Sequence, residues 1–499
     1  MGTQGGYKVD NTHNISTYMK PKRILALTIA LLLIAASWWN VIAAQTSLTI
    51  RHMQRAGVPL LYMVPLQNNQ KVPGVLIAHG YAGSKQLMLG YAYTFARAGY
   101  AVMLWDFDSH AANTQRLQSD SLSENLNVAY TALIEQPEVD RSRLATLGHS
   151  MGSGAVMSAA INNLNTYAAT IAVSPTGARP TPNSPHNLQL QAGSWEGRFI
   201  ANAQRLLQAA GGVNRNFADG KARNLVIIPN AEHITILFRT RSHEAAKNWL
   251  DGTFGVQRQS NYVDNRIIWY FVQLLSWLVV LGTIAPVLNI ASNENSPKIV
   301  NWAGLLAAPF FASGALMLFN NVGDIDGLGG VLVGGAVSIW FGVAGITWLT
   351  IMSRLPKLSM RAFLSGLGLF ALLWIGFGAM AQVVWLQWLL APVRLQLFPI
   401  LAVSCFPWFL ASGVAQQNVT KAKRILWWLG QSIVLIGGFI LVLYLLPQLG
   451  FIALLLPAFP VLVAIFSFTA SVLNEPWSYA IGNALFFGWA LAATFPLAS

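Results

Sequence analysis

The chain has 499 residues, 54% of them hydrophobic and only 10% charged, against roughly 25% charged in an average soluble domain. That excludes an ordinary soluble enzyme and a disordered chain. Despite the formal charge of +13, it also excludes a nucleic-acid-binding protein of the usual charge density.

Placed along the chain, the charges separate two regions. Residues 48–262 hold 18 Lys/Arg and 12 Asp/Glu, residues 267–499 only 8 and 4, and all eight His precede residue 244. A polar domain is followed by one of membrane type. Residues 1–23 form a polar leader ending in Lys20, Lys22 and Arg23. The uncharged stretch 24–44 is long enough to cross a bilayer as a helix, with Trp38 and Trp39 as interfacial anchors. A signal peptide cleaved near Ala43 and Ala44 is the rival reading, and the long leader favours an uncleaved anchor. Either way the polar domain is exported.

Within 48–262 short apolar runs alternate with helical stretches. Strands are expected at 72–78, 101–105, 143–147, 169–173, 188–191 and 225–228, and helices at 85–98, 121–135, 150–163, 198–210 and 234–250. That alternation predicts a mostly parallel sheet with helices on both faces. The segments 174–187 and 197–224 leave no room for a large lid, a part the membrane half is free to play.

Eight further apolar stretches come after it, near 267–291, 300–319, 328–352, 362–390, 395–415, 425–446, 449–473 and 477–497. Threading nine spans puts Lys298, then Arg354, Lys357 and Arg361, then Lys421, Lys423 and Arg424 on the side of the N-terminus. The opposite loops hold Asp324, Asp326 and, of basic residues, only Arg394. The positive-inside rule then gives a plasma (inner) membrane protein with its N-terminus in the cytoplasm and residues 48–262 on the extracytoplasmic side. Pro392, Pro399, Pro407 and Pro447 mark 391–449 as the place for a re-entrant segment. The glycine-rich stretch 327–335 is expected to serve close helix packing inside a span. The spans hold almost no ionisable residue and no His, which argues against a proton-coupled transporter.

Cys405, the single cysteine, excludes a disulfide framework and a cysteine-based zinc site. No His/Asp/Glu cluster has metal-ligand spacing and no glycine loop is of phosphate-binding type, so neither metal nor cofactor is expected.

Chemistry concentrates in 70–250. Gly148-His149-Ser150-Met151-Gly152 follows an expected strand and opens a small-residue helix. Such a sharp turn holds a serine exposed, and tolerates little beyond glycine two residues to either side. His79-Gly80-Tyr81-Ala82-Gly83-Ser84 follows the strand 74–78, and Asn230-Ala231-Glu232-His233 follows the strand 225–228. Glu196 lies between nucleophile and base, after the strand 188–191; Asp219 is the rival acid. Asp106, Asp108 and His110 stand at a strand's carboxyl end, where a turn-forming role is expected, and His79 reads as a loop organiser.

Residues about 70–250 resemble the α/β-hydrolase superfamily, closest to its dienelactone-hydrolase-like and small-esterase branches. The stretch from Pro73 to Tyr81 is similar to the family's oxyanion strand and loop, and 98–108 to its next helix end and strand. The resemblance implies Ser150 as nucleophile, His233 as base and Glu196 as the acid fixing the imidazole tautomer, with Tyr81 and Met151 amides as oxyanion donors. Two departures stand out: the acid is Glu where Asp is commoner, and dienelactone hydrolases carry Cys where Ser150 stands. No family resemblance covers 267–499. The expected function is a membrane-integrated serine ester hydrolase acting on an acyl-ester or lipid-type substrate. The alternatives are an acyltransferase with the same residues and a transporter or sensor whose outer domain only binds.

Overall fold

The computed structural model describes residues 21–66, 70–288 and 299–498; the leader as far as Lys20, and Lys298, lie outside them. Helix α1 (Pro21–Ala43) leads into an eight-stranded sheet of β1 (Leu48–Arg55), β2 (Val58–Pro65), β3 (Val72–Ala78), β4 (Ala101–Trp105), β5 (Val139–His149), β6 (Ala169–Val173), β7 (Leu188–Gly193) and β8 (Arg223–Ile228). Their spatial order is β1-β2-β4-β3-β5-β6-β7-β8. β1/β2 and β2/β4 are antiparallel and every later pair is parallel.

A parallel sheet covered on both faces needs strands apolar on both sides, and β4 and β6 are buried along their whole length. Side-chain alternation then sorts the core into two layers. Val75, Ile77, Val102, Leu104 and Leu147 pack under α2 (Leu89–Arg97) and α6 (Thr240–Phe254). Leu76, Ala78, Met103, Trp105 and Leu144 pack on the other face, under α3 (Ser121–Ile134) and α4 (Met151–Asn162). Helix α5 (Gly197–Ala209) fills the β7–β8 connection. Residues 174–187 join β6 to β7 without a helix.

The hairpin β1–β2 has no counterpart among the expected strands. β1 mixes Arg51, His52, Gln54 and Arg55 into its apolar residues, as a solvent-facing edge does. Its turn, Ala56 (φ 47°) and Gly57 (φ 81°), takes two positive φ values without the usual Asn-Gly or Asp-Gly signal.

The second half is a helical bundle: α7 (Arg266–Leu288), α8 (Ile299–Val322), α9 (Gly334–Met352), α10 (Met360–Leu373), α11 (Met380–Val384), α12 (Pro392–Gln416), α13 (Lys421–Leu445), α14 (Phe459–Leu473) and α15 (Pro476–Thr494). A wide π turn (Trp374–Ala379) joins α10 to α11. Among the described residues seven helices are long and apolar enough to cross a membrane, α1 included, and one bent pair makes an eighth candidate.

Three expectations about this half need correction. Most of 327–335 is a loop before α9 and not part of a span: Gly329 (φ 70°) and Gly330 (φ 78°) turn the chain, and only Gly334 and Gly335 enter the helix, where a Cβ on Gly335 would fall 1.4 Å from the Leu328 carbonyl oxygen. Of the four prolines expected to mark a re-entrant segment, Pro392 opens α12 and Pro399 and Pro407 sit inside it unbroken, while Pro447 does open a break, Pro447–Leu455, bent 56° from α14. Helix α15 falls short of the apolarity expected of a span, because Ser478, Tyr479 and Asn483 are buried in it and hydrogen-bond to neighbours.

The described inter-helix connections sort to two ends. At one end Arg354 bonds Gln417, Asn474 bonds Asn418 and the Trp477 indole donates to the Pro356 carbonyl. These are the connections richest in Lys and Arg. The connections at the other end meet the α/β domain. The Gln86 amide donates to Gln387 (2.6 Å), Tyr81 stacks on Phe451, and the Ser109 carbonyl accepts from Arg394 Nη2 and the Leu497 amide (2.7 and 2.8 Å). Arg394, expected in a connecting loop, lies fully buried in the first turn of α12 and also donates to the Ala492 and Phe495 carbonyls.

Candidate active site

The carboxyl ends of β3, β5, β7 and β8 converge on one crevice, where α/β sheets bind ligands. Ser150 follows β5 at φ 50°, ψ −120°, a conformation costing a non-glycine residue about 1–3 kcal/mol. The turn is tight enough to require both glycines. A Cβ on Gly148 would stand 2.2 Å from the Gly152 carbonyl oxygen, and one on Gly152 would stand 2.4 Å from that of His79. The Ser150 amide donates to the Val173 carbonyl of β6 (2.9 Å), and its own carbonyl accepts from Ser153 and Thr176.

The structure brings Ser150, His233 and Glu196 into one hydrogen-bonded line. His233 Nε2 lies 3.0 Å from Ser150 Oγ and Nδ1 lies 2.7 Å from Glu196 Oε1. The second carboxylate oxygen, Oε2, accepts from the Ser174 hydroxyl (2.9 Å) and the Gly193 amide (2.6 Å). With 2% of its side chain exposed against 15% for His233, Glu196 is the sequestered end of the line. Asp219, the rival acid, sits in an exposed loop accepting from Asn216 and takes no part.

His149 does more than fill the variable position of the turn. Its Nε2 donates to the His233 carbonyl (2.9 Å) and its ring lies 4.7 Å from the His233 ring, while Phe199 stacks on that ring at 4.4 Å. Burial, reinforced by His233, holds the His149 pKa well below the ordinary imidazole range, so a neutral ring supports the base. The sequence marks Phe199 by no motif; its place three residues after Glu196, in the first turn of α5, is the only cue.

The loop after β3 lies against the serine. A Cβ on Gly80 would be 2.8 Å from His149 Nδ1 and 3.0 Å from Ser150 Cβ. His79 is the loop organiser expected of it: Nδ1 donates to the Gly80 carbonyl (2.7 Å), and Nε2 accepts from the Phe107 amide (3.0 Å). The Met151 amide, opening α4, has no partner within its helix. The Tyr81 ring meets the edge of His110 at 5.5 Å and the face of Phe451 at 3.7 Å. Burial, with Asp326 adding to it, pushes the Tyr81 hydroxyl up to about 12. Asp106 accepts from the Lys85 amide (2.8 Å) and pairs with the buried Lys85 ammonium. Asp108 accepts from Asn113 and Ser121. Both shape the loop, as expected, and neither reaches the crevice. Among the described residues no group of three His, Cys, Asp or Glu is set to hold a metal ion.

This sheet order, with a serine on a strained turn after the fifth strand, defines the α/β-hydrolase fold. Residues 70–238 match the family described as serine aminopeptidase, S33, an α/β-hydrolase family, so this part of the chain is an α/β-hydrolase domain joined to a helical bundle. Over 89 residues the chain is 28% identical to an uncharacterised protein of Mycobacterium tuberculosis, covering 18% of this chain and 32% of that one. It is 31% identical over 108 residues to the quorum-quenching protein AidA of Acinetobacter baumannii, covering 21% and 35%. The chain thus spans about a third of the length of the curated relatives it matches. Among solved structures, the dienelactone hydrolase of Anabaena variabilis aligns at 20% identity over 41% of this chain and 97% of its own, with a TM-score of 0.31.

Proposed function

We propose that the protein is a membrane-integrated serine ester hydrolase, on the strength of one observation: the line from Ser150 Oγ through His233 to the buried Glu196. Ser150 Oγ attacks the ester carbonyl carbon as its proton passes to His233 Nε2. The tetrahedral oxyanion is held by the Tyr81 and Met151 amides. Collapse expels the alcohol, which takes the proton from His233 and leaves an acyl-Ser150 ester. Water, deprotonated by the same imidazole, then releases the acid. Glu196 keeps Nδ1 protonated and Nε2 free to accept.

The location supports a membrane-borne acyl ester. Residues 174–187 hold no helix that could serve as a lid, and the bundle meets the domain at the loops after β3 and β4, beside the crevice. The basic connections at the bundle's far end support an extracytoplasmic position for the hydrolase domain.

The test is labelling by a fluorophosphonate probe, which reacts only with an activated serine. Wild-type protein should label and Ser150→Ala should not, with a loss of at least about 10³-fold in ester hydrolysis. A labelled Ser150→Ala variant would refute the reading. Turnover of an aminoacyl anilide but of no acyl ester would move the activity to peptides, and transfer to an added alcohol in preference to water would make it an acyltransferase.

A further inference from the structure

The oxyanion loop is gripped from two sides. From within its own domain, Gly80 lies against His149 and Ser150. From the bundle comes the segment Pro447–Leu455, where the chain breaks before α14, carrying Phe451 onto the face of the Tyr81 ring at 3.7 Å and 20° between planes. Tyr81 also meets His110 at 5.5 Å in a T-shaped contact. His110 follows Ser109, whose carbonyl is held by Arg394 and Leu497 of the bundle. The second half of the chain therefore reaches Tyr81 directly through Phe451 and, separately, holds the residue that precedes His110.

Phe451 itself contributes little to the bundle's core. The residue is 43% exposed, and a Cβ on neighbouring Gly450 would meet nothing within 4 Å. Among the described rings its one aromatic partner is Tyr81 of the other domain.

We infer that Phe451 is a positioning residue of the hydrolase reaction, holding Tyr81 so that its amide faces the developing oxyanion. The bundle is then part of the catalytic apparatus as well as an anchor. The inference rests on the proposed serine-hydrolase reading. Oxyanion donors act only when fixed where charge develops, and removing one costs about 10²–10³-fold in kcat. A loop that keeps its donor but loses its brace should lose a part of that, about tenfold or more.

The experiment uses full-length protein in detergent micelles, with a short soluble ester as substrate. Phe451→Ala should lower kcat about tenfold or more, leave KM within about twofold, and slow fluorophosphonate labelling in proportion, because the phosphonyl oxygen occupies the same hole. Phe451→Trp should restore most of the rate by keeping a flat face. Phe451→Leu, which keeps bulk without the face, should not. Wild-type kcat in Phe451→Ala, full rescue by Leu, or a defect confined to KM for long-chain esters would each overturn the inference. Ser150→Ala in the same preparation separates the two claims: if it still labels, the hydrolase reading fails. If it is silent while Phe451→Ala labels at the wild-type rate, only the positioning role fails.

Discussion

Glu196→Gln isolates what the carboxylate does. The glutamine carries one oxygen and one NH2 into a site where three donors converge: His233 Nδ1 at one carboxylate oxygen, Ser174 Oγ and the Gly193 amide at the other. If the NH2 takes the Oε2 position it faces the Gly193 amide at 2.6 Å, donor against donor, and leaves buried N–H groups unpaired at about 1–3 kcal/mol each. If it takes the Oε1 position, both bonds at Oε2 survive and the imidazole must accept at Nδ1. The second arrangement wins. It moves the ring proton to Nε2, which then points a donor at Ser150 Oγ and can no longer take its proton. A forced tautomer of this kind lowers kcat by about 10⁴ in a serine protease, and a loss of 10³–10⁴ is expected here. The fold should survive, because the substitution is isosteric. The assay is short-ester turnover with thermal unfolding recorded on the same samples. Retention of a tenth of the activity with unchanged Tm would refute the tautomer argument, as would a comparable loss in Asp219→Asn.

Other expectations rest on the same geometry. Burial lowers the pKa of His79, His110 (to about 3), His149 and His243. The unfolded chain therefore binds more protons than the folded one below pH ~6.5, and stability falls as pH drops through that value. Tm should decline from pH 7.5 to 5, and a flat profile would contradict the neutral burial of these rings. Arg394→Met removes a buried guanidinium that donates to three carbonyls. It should loosen the join between the halves, cutting Tm by several degrees and speeding proteolysis of residues 106–113; unchanged proteolysis would deny that role. In intact cells a cysteine at Gln448 should react with an impermeant thiol reagent and one at Ser359 should not; the native Cys405 is buried. Labelling at 359 alone would invert the orientation. Asn68, equally suited by sequence, lies outside the described residues.

The site was legible to the extent that it is local. Ser150 announces itself because the turn's sterics demand Gly148 and Gly152, and chain order then points to Glu196 and His233. The buried strands were readable for the same reason, since two-sided burial leaves only apolar residues to choose from. What escaped was non-local or unsigned. The hairpin β1–β2 turns on an Ala-Gly pair, and its outer strand resembles a loop in composition. The glycines of 327–335 look alike in sequence whether they pack helices or bend a chain, and only the positive φ of Gly329 and Gly330 decides. Pro399, Pro407 and Pro447 carry the same mark of a break, and of the three only Pro447 makes one. His149 and Phe451 act through partners 84 residues downstream and 370 upstream, a distance over which periodicity says nothing.

The grip on Ser109 has a consequence for the order of events during synthesis. The sheet and its covering helices are finished by α6, and domains fold as units from the N-terminal side while the ribosome adds roughly 5–20 residues per second. The Arg394 and Leu497 that hold Ser109, and the Phe451 that meets Tyr81, come from the second half of the chain. Tens of seconds of translation separate a folded α/β domain from the last of its contacts. Through that interval the loops after β3 and β4 present Tyr81 and His110 unfaced, and the α/β domain gains its remaining walls one hairpin of the bundle at a time.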